Sequence, residues 1–136
     1  MPPDAPGRFW LEIVQRPTPA AFAAAFTDGV VLDTSIARGR IVGPDDVRSF
    51  FEASRSMYAT IRFTHETGAP PRICLEWEGS FQGADIGGAT VLSFDTNGAI
   101  ERIQLYHRPY AQVLAYSAEL ARRLTGMLDP SILPTA

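Results

Sequence analysis

The sequence predicts a single α+β domain, residues 1–136, in which a strongly bent antiparallel sheet and a few helices enclose an apolar pocket. Three observations carry that reading. A chain of 136 residues suits one core, because dividing it would leave each half too little apolar surface to offset its ordering entropy. Its 46% hydrophobic and 20% charged residues match a globular protein rather than a disordered one. The apolar spacing also changes along the chain: it is mostly helical up to Tyr58, alternating from Thr60 to Arg108, and helical again after Pro109.

Arg8 to Gln15 reads as a short helix with Phe9, Leu11, Ile13 and Val14 on an incomplete stripe, ended by Pro17. Thr18 is a good N-cap and Pro19 suits a first helical position. A second helix therefore runs from Ala20 to Phe26, with Phe22 and Phe26 one turn apart. Asp28-Gly29 predicts a turn. Val30 to Thr34 is then a short β-branched strand with Asp33 near its end. Gly43-Pro44-Asp45-Asp46 opens a third helix with carboxylates in the first turn, where the helix dipole favours them, and Val47, Phe50, Phe51, Ser54 and Tyr58 form its buried face.

Thr60 to Glu66 alternates, with Ile61, Phe63 and His65 on one face and Arg62, Thr64 and Glu66 on the other. Arg72 to Phe81 alternates likewise, with Ile73, Leu75, Trp77 and Phe81 opposing Arg72, Cys74, Glu76 and Glu78. Ile86 to Phe94 is a strand interrupted by Gly87-Gly88, a pair that marks a bulge or sharp bend and so implies a bent sheet. Asp95 to Gly98 is a hairpin loop, and Ala99 to His107 returns with Ile103, Leu105 and His107 on one face. Tyr110 to Met127 forms a last helix, with Val113, Leu114, Leu120, Leu124 and Met127 near helical spacing and Gly126 and Pro130 ending it.

Several function classes drop out. The formal net charge of -3 and the lack of any Lys/Arg run argue against nucleic acid as a partner. No segment approaches the ~18 to 20 consecutive apolar residues that span a bilayer. The first residues lack the basic-then-apolar order of a secretory signal, so a cytoplasmic location is expected. The lone Cys74 allows no internal disulfide, and no Cys/His spacing suggests zinc.

Particular strings carry a resemblance. Phe26 to Asp33 (FTDGVVLD), Ile41 to Phe51 (IVGPDDVRSFF), Val91 to Ile100 (VLSFDTNGAI) and Tyr106 to Pro109 (YHRP) occur in an order and spacing similar to those of the nuclear-transport-factor-2-like superfamily. That superfamily includes ketosteroid isomerases, SnoaL-like polyketide cyclases and limonene epoxide hydrolases. The resemblance covers roughly Ala20 to Pro109. It implies a cone-shaped, cystatin-like fold whose bent sheet wraps a cavity, with the last helix as an extension. It also implies a homodimer through the outer sheet face and activity without a cofactor. Asp33 lies near the place of the isomerase's proton-shuttling aspartate, while the places of its oxyanion-hole donors hold Trp10 and Thr90. No Arg-x-Asp string of the epoxide-hydrolase kind falls on a strand.

A carboxylate ending an apolar strand would be desolvated, which makes Asp33 a candidate base; the alternative is that it caps a loop. The two histidines, His65 and His107, each fall on an otherwise apolar strand face and could move protons near neutral pH, or could simply be packed against backbone carbonyls. Tyr58 could donate to a ligand oxygen. Asp33, His65 and His107 together also read as a facial metal triad, ranked below the metal-free reading for want of ligand spacing. Trp10, Phe22, Phe51, Phe63, Trp77, Thr90 and Leu105 are the expected pocket wall. The leading expectation is a SnoaL-like isomerase or cyclase that removes a proton beside a carbonyl of an apolar substrate. The other is a non-catalytic module that binds a small hydrophobic molecule or dimerises. Geometry separates the two, because acid–base catalysis requires at least two of Asp33, His65 and His107 to reach one point of the cavity.

Overall fold

The computed structural model describes residues 7–16, 18–129 and 131–132. Pro17 and Pro130, expected to end helices, lie outside them. The elements follow as α1 (Arg8–Gln15), α2 (Pro19–Ala25), β1 (Phe26–Thr34), β2 (Ile41–Val42), α3 (Pro44–Met57), β3 (Thr60–Ala69), β4 (Arg72–Phe81), β5 (Ala84–Phe94), β6 (Ile100–Arg108) and α4 (Tyr110–Arg123). Local chemistry explains the helix starts. The Thr18 hydroxyl accepts from the Ala21 amide at 3.2 Å and caps α2. Gly43 takes the left-handed φ of 94° that turns the chain from β2 into α3, whose first turn carries Asp45 and Asp46.

The six strands form one curved sheet in the order β2-β1-β6-β5-β4-β3. β1 runs parallel to β6, and the other neighbours pair antiparallel, so the sheet is mixed rather than wholly antiparallel. Asp28-Gly29, expected as a turn, lies inside β1. The strand already pairs Phe26 with Ile100, and a register shift before Val31 absorbs the extra residues. A second shift, between Phe63 and His65 on β3, has larger consequences for the site.

The helices cover the inner face. Trp10, Phe22, Phe50, Leu75, Leu92, Ile103 and Tyr116 are among the side chains that build one continuous core there. On α4 the buried stripe runs through Tyr116, Ser117 and Leu120 and continues to Leu124 and Leu128. Leu114 and Met127, expected in that stripe, are 55% and 56% exposed instead. At 3.6 residues per turn, the stripe that includes Leu120 and Leu124 continues back through Tyr116, not Leu114. The outer face is polar: Arg62 pairs with Glu78 at 3.1 Å, Arg72 donates to Gln104 at 3.2 Å, and Tyr106 is largely exposed. Among the described residues no helix is long and apolar enough to cross a membrane.

Candidate functional site

An apolar cleft opens between the first helix and the sheet, with a volume of about 40 Å³. Helix α1 contributes Trp10, Leu11, Val14 and Gln15, and α3 with its C-cap contributes Phe51, Ser54, Arg55 and Tyr58. The sheet closes the far side with Ile61, Phe63, Trp77, Thr90 and Leu105. The Trp10 and Phe51 rings meet edge-on at 5.1 Å, as do Tyr58 and Trp77 at 5.6 Å, an arrangement that places the positive ring edge against the negative face. Such a wall is stiff and strongly apolar.

Polar side chains in its lining are few: Gln15, Ser54, Arg55, Tyr58 and Thr90. The Tyr58 hydroxyl lies 3.2 Å from His107 Nε2. The Ser54 and Tyr116 hydroxyls bond to each other, and Tyr116 also donates to the Ser54 carbonyl at 3.4 Å. The His107 ring packs between Trp77 and Tyr116, each 5.1 Å away, one layer behind the cleft. Burial disfavours the imidazolium and lowers the His107 pKa to about 3, so the ring is neutral at physiological pH. Burial likewise raises Tyr116 to about 12. It also lifts Tyr58 well above its ordinary value, with the neighbouring Tyr116 adding to the effect. His107 Nδ1 is enclosed with no partner among the described residues. An enclosed acceptor is tolerated better than an enclosed N–H, which favours the tautomer in which Nε2–H donates to the Tyr58 oxygen, while the Tyr58 hydroxyl also lies in hydrogen-bonding contact with Tyr116.

Asp33 does not reach this cleft. Its neighbours Leu32 and Thr34 pair with Ile103 and Leu105, so strand alternation turns Asp33 to the outer face. There it bonds Arg102 at 2.8 Å and Arg40 at 3.1 Å. The expectation of a desolvated base at a pocket wall is corrected accordingly. His65 is also outside. The bulge at Thr64 sets Phe63 opposite Trp77 but His65 opposite Glu76, which moves His65 to the exposed face, 4.0 Å from the Glu76 carboxylate. The same slip turns Glu66 inward, where it accepts from the Gly7 amide at 2.5 Å and ties down the start of α1. Asp33 thus stands apart from the two histidines, which both border one open depression of the sheet together with Glu76 and Tyr106, and among the described residues no cluster of three or more His, Cys, Asp or Glu could hold a metal. Phe22 is not a wall residue either, because it stacks behind Phe51 against Phe26, with ring centroids 4.8 Å apart for the latter pair. The expected wall residues Trp10, Phe51, Phe63, Trp77, Thr90 and Leu105 do meet around the cleft.

No family model matches the sequence, and no curated protein matches it. Solved structures do. An uncharacterised bacterial protein with a cystatin-like fold from Silicibacter pomeroyi superposes with a TM-score of 0.79 at 18% identity, over 85% of this chain and 82% of that one. A steroid delta-isomerase from Pseudomonas aeruginosa gives 0.77 at 17% identity over 85% and 86%. A protein assigned to the SnoaL-like family from Agrobacterium tumefaciens gives 0.62 at 17% identity over 76% and 95%. The chain has the cystatin-like, nuclear-transport-factor-2-like fold.

Within this cystatin-like fold, sequence reasoning missed three groups at the site. Tyr116 was readable, since Val113, Tyr116, Leu120 and Leu124 are spaced three, four and four residues apart. Ser54 was identified only as buried surface. Arg55 carried no signal, because an arginine in the last turn of a helix is ordinary.

Proposed function

We propose that the cleft, about 40 Å³ as it stands, widens by displacement of α1 side chains to bind a small hydrophobic molecule carrying an oxygen acceptor, which lies against the aromatic wall and takes a hydrogen bond from Tyr58. The observation that carries this reading is the composition of the cleft: aromatic and aliphatic side chains surround a few hydroxyls, those of Ser54, Tyr58 and Thr90, the ligand-site pattern of an apolar lining with a small number of polar groups. The proton-abstracting reading is weaker on the same ground. Among the described residues no carboxylate lines the cleft, and a neutral His107 whose proton affinity is held down by burial is a poor base. A second reading retains one supporting observation. A tyrosine hydrogen-bonded to a buried imidazole is a donor suited to a carbonyl that gains negative charge, and it could assist an isomerisation or ring closure electrophilically. The fold's isomerase relatives supply precedent for that chemistry, but the specific reaction rests on Tyr58 alone.

The test is a thermal-shift and calorimetric screen of polyketide-like, steroid-like and terpenoid compounds against the wild type, Tyr58→Phe and Leu11→Trp, the last filling the cleft from its mouth. A true ligand at a hundredfold excess over Kd stabilises by about 2.7 kcal/mol. Leu11→Trp should abolish that gain, and Tyr58→Phe should weaken carbonyl compounds by about tenfold. If no compound stabilises the wild type, or if Leu11→Trp binds as well, the reading is wrong. We also propose, on the resemblance, that two copies pair through the outer sheet face around half-buried Cys74, Ala89 and Val91 and exposed Tyr106. Light scattering on the wild type and Val91→Arg tests it: a dimer that the substitution dissociates supports the pairing, and a monomeric wild type removes it.

A further inference from the structure

Arg55 stands in the last turn of α3, one residue from Ser54 and three from Tyr58, and lines the cleft together with Gln15 of α1. Its Nε is fully enclosed and has no hydrogen-bond partner among the described residues. The nearest acid on the same helix, Glu52, is already engaged by Arg48 at 2.8 Å. Glu12 on the facing helix lies 3.6 Å from Arg8. A cation near a helix C-terminus is favoured by the dipole, which accounts for an arginine in this turn. It does not account for burying the inner nitrogen unpaired in an apolar wall, a costly arrangement unless something supplies an acceptor. Arg48 Nε is enclosed without a partner in the same way, so what singles out Arg55 is its place in the cleft lining, where the outer nitrogens of its guanidinium can meet a ligand.

We infer that Arg55 is an anion receptor in the cleft lining and that the ligand is amphiphilic, with an apolar body against Trp10 and Trp77 and a carboxylate on the Arg55 guanidinium. A guanidinium presents a planar fork of donors matched to a carboxylate and remains charged throughout the accessible pH range. The chain as a whole carries a formal charge of -3, so its overall field repels anions and selectivity has to come from this local group. The inference rests on the reading of the cleft as a ligand site and narrows it to one class of ligand.

Calorimetry with two matched pairs, cinnamate with cinnamamide and octanoate with octanamide, tests the inference by the ratio of acid to amide affinity. The wild type should prefer each acid over its amide by about tenfold or more. Arg55→Gln and Arg55→Leu should bring that ratio to about one, whereas Arg55→Lys should restore part of it. A purely dipolar role predicts a lower Tm in Arg55→Gln with the ratio unchanged, and that result overturns the inference. Equal binding of acid and amide to the wild type, with both lost in Leu11→Trp, overturns the anion receptor while leaving the cleft a ligand site. Failure of all four probes to bind the wild type overturns the anion receptor, while the cleft reading is decided by the broader screen above.

Discussion

Acidification should expose the cost of the buried imidazole. His107 is 8% exposed and its pKa falls from an ordinary 6.5 to about 3 because burial penalises the charged ring. Between those values the unfolded chain binds a proton that the folded chain refuses, so stability rises with pH across the window and is lost as pH falls through 6.5. Fully developed, the gap between 6.5 and about 3 corresponds to about 5 kcal/mol. From pH 7 to pH 5 this single group removes roughly 2 kcal/mol, equivalent to a fall in Tm on the order of 6–10 °C for a chain of this length. Glu119, held at about 2 by hydrogen bonds from Arg122 and Arg123, and Asp129, lowered by Ser131, contribute only below their ordinary values of 4.5 and 3.8. Urea unfolding at pH 7, 6 and 5 measures the slope, and His107→Gln, which cannot titrate, should flatten it whatever its absolute stability. A proton NMR titration of the ring gives a second reading and should show no step for His107 above pH 5. A wild type equally stable at pH 7 and 5, or a His107 imidazole that titrates near 6.5, would refute the buried neutral ring and the tautomer argument built on it.

Other perturbations separate the inner and outer faces. Tyr58→Phe leaves His107 Nε2 enclosed without its partner and should cost about 1–3 kcal/mol in chemical denaturation; a loss below a few tenths would mean the contact is unimportant. Asp33→Asn removes only outer ion pairs to half-exposed and exposed arginines. It should change stability by less than about 1 kcal/mol, and its effect on ligand affinity should be nil; a marked loss of binding would return Asp33 to the site. Gly88 pairs with His107 across β5 and β6, and a Cβ there would overlap the Tyr106 carbonyl and crowd the Trp77 ring. Gly88→Ala should therefore destabilise by about 3 kcal/mol in the same assay, and a neutral outcome would argue against so close an approach of the two strands.

The fold was largely legible because its signals are local and redundant. The capped start at Thr18-Pro19, the Gly43-Pro44-Asp45 entry to α3 and the clean alternation of β4 each specify an element without help from the rest of the chain. The parallel pairing of β1 with β6 joins residues about 70 positions apart, and nothing in either strand announces its partner.

The site was legible only where apolar neighbours fix a side chain's direction. Trp77 follows Ile73 and Leu75 at alternate positions, and Leu105 follows Ile103, so their inward placement is determined by period two alone. The same rule applied to β1 would have turned Asp33 outward, since Val30 and Leu32 must face the core. Placing it at a pocket wall gave the chemical appeal of a carboxylate more weight than the pleat. His65 is different in kind. Its face depends on one extra residue at Thr64, and a bulge is a property of the pairing with β4 rather than of β3. A polar residue beyond a bulge has no face that its own strand can specify. On a sheet with such irregularities, the residues that carry chemistry are therefore the least predictable, and Gly87-Gly88, expected to mark a bulge or bend, pairs in regular register with both neighbouring strands.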